Sequence, residues 1–70
     1  MKLIELIREL PLTSVQNHGT MISFIDIYEA CAAHGQDNHH IINAQLIALE
    51  KDDSLKVIYD DQELIIGVRL

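Results

Sequence analysis

The 70-residue sequence predicts a small α+β fold, three helices followed by a C-terminal antiparallel β-hairpin, forming a single domain over 1–70. Three observations carry that prediction. Apolar residues recur at helical spacing in three segments, Pro11 and Gly35 stand where helices have to stop, and residues 55–70 form two β-rich runs around an acidic turn.

Residues 2–10 place Leu3, Ile4, Leu6, Ile7 and Leu10 opposite Lys2, Glu5, Arg8 and Glu9, the period of roughly 3.6 residues expected of a surface helix, and Pro11 ends it. Leu12 to Thr20 has no period and reads as a connection, with its turn at Asn17-His18-Gly19 and one short extended piece near Met21 and Ile22. Ser23 with Asp26 three residues on resembles a capping box, so the second helix is expected from Phe24, with Phe24, Ile25, Tyr28, Cys31 and Ala32 on one face. His34-Gly35 closes it, because glycine adopts the left-handed conformation of a helix end at little steric cost. After a short turn, Asp37 or Asn38 caps a third helix that runs to about Lys51.

The expected hairpin joins Leu-Lys-Val-Ile-Tyr (55–59) to Leu-Ile-Ile-Gly-Val-Arg-Leu (64–70) through Asp-Asp-Gln-Glu (60–63). Pairing Tyr59 with Leu64, Val57 with Ile66 and Leu55 with Val68 puts all of these on the side that covers the helices. Lys56, Ile58, Ile65 and Gly67 then occupy the other side, with Ile58 and Ile65 directly opposed and wet in a lone monomer.

Charge narrows the function. A formal net charge of −6 opposes binding to a phosphate backbone, which is held by Lys and Arg, and the five basic residues are scattered along the chain. No apolar run approaches the roughly 18 residues needed to cross a bilayer, so membrane association is not expected. A single cysteine excludes an internal disulfide, and the lack of a leader pattern leads to an expectation of cytoplasmic residence.

In order and spacing, the three helical segments and the hairpin resemble the winged helix-turn-helix superfamily, at the level of architecture and without a specific family. The resemblance implies that Ile41 to Lys51 stands at the position of a recognition helix and Asp60 to Glu63 at a wing tip. The residues depart from a DNA-reading pattern. With Ile42, Leu46 and Leu49 buried, the outward face of the third helix carries His40, Asn43, Ala44, Ile47 and Lys51, without an arginine to read guanine. Three carboxylates would face phosphates at the wing.

Chemistry is sparse. Cys31, His34, His39 and His40 are the densest set of potential zinc ligands, but a helical-face cysteine is more often a core residue and a helix-end histidine serves loose carbonyls, so no metal or other cofactor is expected. The four histidines read as solvated groups. No nucleophile with its base, carboxylate pair or phosphate-cradling loop is evident, so neither an enzyme nor a small-molecule substrate is expected. Asp52-Asp53 and Asp60-Asp61 could imitate DNA phosphates and occupy a nucleic-acid-binding protein, although a solvated acidic surface that keeps an apolar protein soluble is the plainer reading.

The expected function is therefore a non-enzymatic protein-protein interaction, adaptor or regulatory module, as a homodimer or a subunit of a larger complex. Its candidate contact residues are His40, Asn43, Ala44, Ile47 and Lys51 on the third helix, and Ile58 and Ile65 on the back of the hairpin, with strand pairing at the open edge as an extension. The alternative is a dimeric DNA-binding regulator that gathers Lys51, Lys56 and Arg69, with Asn43 and His40 as readers.

Overall fold

The computed structural model describes residues 2–70. Its elements are α1 (Leu3–Arg8), β1 (Thr13–Val15), β2 (Gly19–Ser23), α2 (Phe24–Ala33), α3 (His39–Lys51), β3 (Lys56–Tyr59) and β4 (Ile65–Arg69). The fold is α+β, but the expected order of three helices and then a hairpin is wrong: β1 and β2 lie between α1 and α2, and a four-stranded antiparallel sheet runs β1-β2-β4-β3.

The overlooked hairpin starts just beyond Pro11, and its turn is the anticipated Asn17-His18-Gly19, with the His18 N–H donating to Val15 O at 3.0 Å. Asn17 at φ 69° and Gly19 at φ 81° supply the left-handed conformations that reverse the chain. Thr13 and Ser14 are exposed, so β1 is set by ladder pairing to β2 and leaves no alternating apolar trace in the sequence. Ile22 and Ser23 of β2 pair with Val68 and Gly67 of β4, which ties this hairpin to the C-terminal one.

Ser23 caps α2 as expected, its Oγ accepting from the Asp26 N–H at 3.2 Å. The Asp26 carboxylate accepts a long hydrogen bond from Thr13 Oγ1 at 3.4 Å, tying α2 to β1. The buried stripe of α2 differs from expectation: Ile27 and Cys31 are sealed and Phe24 and Tyr28 pack beside them, whereas Ile25 is 68% exposed and Ala32 faces solvent. At the other end Gly35, at φ 88°, closes the helix with Gly35 N–H to Ala32 O and Gln36 N–H to Cys31 O. The Tyr28 hydroxyl donates to Asp37 O at 2.8 Å and fastens the turn, and Asn38 Oδ1 caps α3 through the His40 N–H.

The C-terminal hairpin has a different register. Val57 pairs with Val68, Ile58 with Gly67 and Tyr59 with Ile65, with an irregularity between the last two pairs. Relative to expectation the base of the hairpin has slipped by two residues, which preserves face parity, so Leu55, Val57 and Val68 are still buried. The irregularity leaves Ile66 as the extra residue and brings Ile65 against the core. The tip is built by Asp60, whose Oδ1 accepts from the N–H groups of Gln62 at 2.8 Å and Leu64 at 2.9 Å.

One core joins these parts: Leu3 and Ile7 from α1, Ile22 from β2, Ile27 and Cys31 from α2, Ile42 and Leu46 from α3, and Leu55, Val57 and Val68 from the hairpin. Burial of each such side chain stabilises the fold by about 1.5–3 kcal/mol.

Candidate functional site

The C-terminal end of β4 and the segment after α1 enclose a groove of about 470 Å³ lined by Arg8, Leu10, Leu12, Thr20, Ile22, Arg69 and Leu70. Its position follows from Pro11, which ends α1 and turns the chain toward β1, and from the β2·β4 pairing, which sets Ile22 beside Val68 and carries Arg69 and Leu70 to the rim. Its floor is the core residue Ile22, and Leu10 packs against the core. Leu12 is 68% exposed and Leu70 63%, so the walls offer apolar surface to a partner.

Among the described residues, the ionisable side chains lining this groove are the cations Arg8 and Arg69, in a chain of net charge −6. Arg8 is exposed in the last turn of α1, where a positive charge suits the helix dipole. Arg69 is held more firmly: its Nε donates to Thr20 O at 3.1 Å and its Nη2 donates to His18 O, pinning the guanidinium across the start of β2. A guanidinium has five N–H donors, so those not used on these carbonyls remain for a ligand carboxylate.

The α3 face matches expectation except at Asn43, expected outward, and Leu49, expected buried, which are both half-buried. Ile42 and Leu46 are buried, while His40, Ala44 and Lys51 are exposed and Ile47 is 38% exposed. Asn43 is half-buried, and its Oδ1 is sealed without a donor. Ile58 and Ile65 are not a wet opposed pair: both are half-buried, Ile58 stands opposite Gly67, and Ile65 packs on the core from the Tyr59 side. The β3 edge is partly closed by α3, since Glu50 Oε2 accepts from the Val57 N–H at 2.8 Å.

Among the described residues no group of three or more His, Cys, Asp or Glu is placed to hold a metal ion. Cys31 is fully buried in the core, where desolvation raises its thiol pKa, while His34, His39 and His40 are exposed. The His39 and His40 rings approach to 4.0 Å between centroids at the start of α3. Also among the described residues, no helix is long and apolar enough to cross a membrane.

No family model, curated protein or solved structure matches the chain.

Arg8 and Leu12 were not candidate contacts in the sequence, and Arg69 was one only for DNA, because the groove draws on three separated stretches. The available signal was Leu12 itself, a large aliphatic after a helix-ending proline and outside any apolar period.

Proposed function

We propose that the chain is a non-enzymatic protein-interaction module that docks a polypeptide segment. The observation that carries this reading is the groove, with exposed Leu12 and Leu70 between Arg8 and Arg69. Apolar surface rimmed by arginine is the composition of an interface centre, and two guanidinium groups select an occupant that brings carboxylates. The outward face of α3, with Ile47 among His40, Ala44 and Lys51, offers a second, shallower contact.

DNA binding is the competing reading, and one observation favours it: Lys56 and Arg69 are cross-strand partners. Two features support the polypeptide instead: the net charge of −6 opposes a phosphate backbone, and reading adenine from α3 would require the Asn43 carbonyl oxygen, which is sealed. Imitation of DNA by the acidic tip is disfavoured as well, because Asp60 Oδ1 already holds two N–H groups of its own turn.

The test is capture with immobilised wild-type protein and an equally folded Leu12→Asp variant, using extract of the native cell. A protein retained by wild type and lost with Leu12→Asp supports the module; identical retention by the two counts against the groove.

A further inference from the structure

We propose that the occupant of the groove is a second copy of this chain, which inserts the tip of its β3–β4 hairpin. The inference rests on the reading of the groove as a docking surface and names what docks.

The tip is the chemical complement of the groove. Its two flanking residues, Tyr59 and Leu64, are 42% and 59% exposed, and Asp61 and Glu63 between them are exposed carboxylates. An apolar patch carrying negative charge thus stands at one end of β4, and an apolar groove carrying positive charge at the other. The hydrogen bonds of Asp60 to Gln62 and Leu64 fix the shape of the tip before any contact, so little ordering is needed on docking.

The geometry keeps the tip of one chain out of its own groove. A strand rises about 3.3 Å per residue, so the path from Leu64 to Leu70 separates tip from groove by roughly 20 Å. The longest dimension of the protein is 32 Å, so the two features sit far apart on one rigid sheet and cannot meet within one chain. Two copies related by a two-fold axis perpendicular to the β4 direction place each tip in the other's groove. That two-fold pair uses both tips and both grooves and closes on itself, whereas a translational stack would leave one of each open. In the pair, Arg8 and Arg69 meet Asp61 and Glu63, and Leu12 and Leu70 cover Tyr59 and Leu64.

Sedimentation equilibrium of the full chain over a wide concentration range provides the test, with Arg8→Glu, Asp61→Arg, the double variant and Leu12→Asp beside wild type. Arg8 and Asp61 are exposed and outside the core, and circular dichroism verifies that each variant is folded. The expected result is a wild-type dimer whose dissociation constant rises roughly tenfold or more with either single charge reversal and with Leu12→Asp. Combining Arg8→Glu with Asp61→Arg should recover most of that loss, because opposite charges again face each other. A monomeric wild type, or a dimer indifferent to all these changes, overturns the proposal. If the wild type is monomeric but Leu12→Asp still abolishes capture of another protein, self-association fails while the docking function stands; if capture is also unchanged, both fail.

Discussion

The Met21 thioether lies where a Cβ on Gly67 would have to go: an added Cβ would stand 2.5 Å from Met21 Sδ and 2.5 Å from the Ile22 carbonyl oxygen. Gly67 is buried in β4 between Ile58 and Ser23, so this close approach is part of how the two hairpins join into one sheet. Gly67→Ala should therefore destabilise the fold by about 2–3 kcal/mol, with the backbone oxygen preventing simple relief by rotation of Met21. Urea unfolding measures this, and a loss below about 0.5 kcal/mol would show that the strands separate easily.

The slip of the C-terminal hairpin has two parts, one at the turn and one at the irregularity beside it. Sequence pattern placed Leu55, Val57 and Val68 correctly at the base of the hairpin, but Tyr59 and Leu64, expected on the same side, are 42% and 59% exposed, because the shift at the tip is a single residue. Asp60 lengthens the turn by capping Leu64 N–H, which moves the partner of Tyr59 one residue on to Ile65, and the extra residue Ile66 adds the second step, so Val57 meets Val68. Helix punctuation was legible because Ser23, Gly35 and Asn38 act on their immediate neighbours. The burial of Ile27 in preference to Ile25 depends on what α2 packs against and was not. The β1–β2 hairpin was hidden because its strands contribute few alternating apolar residues, and the groove because its lining converges only after β2 pairs with β4.

Glu50 shields the outer edge of the sheet. Its carboxylate accepts from the Val57 N–H, so Glu50→Ala should cost about 1–2 kcal/mol, and Glu50→Gln, which keeps a carbonyl acceptor, clearly less. Hydrogen exchange at the Val57 amide should accelerate selectively in Glu50→Ala. Equal exchange in Glu50→Ala and wild type would mean that the bond gives no protection.

Asp60 should matter through shape rather than charge. Asp60→Ala removes the acceptor of two N–H groups at the tip and should cost about 1 kcal/mol, whereas Asp60→Asn, which retains an acceptor, should cost less. Thermal unfolding of the two variants decides this, and equal losses would point to the charge instead.

Cys31 gives the stability a defined alkaline dependence. Burial raises its thiol pKa in the folded protein, so the folded state holds the proton more tightly than the unfolded chain does. Stability from this group is fully present below the unfolded thiol value of about 8.5 and declines as pH rises through the interval up to the folded value. Cys31→Ala should flatten that decline while lowering stability overall through the lost packing, and native protein should react slowly with thiol reagents. Rapid modification without unfolding would contradict this.

The central claim is that this anionic chain serves polypeptide rather than polynucleotide partners, and fluorescence anisotropy of a labelled DNA duplex at physiological salt tests it most directly. The account predicts no association tighter than the roughly micromolar to 100 µM range of sequence-independent contacts. Submicromolar binding that weakens steeply with salt and disappears in Lys51→Ala would contradict it.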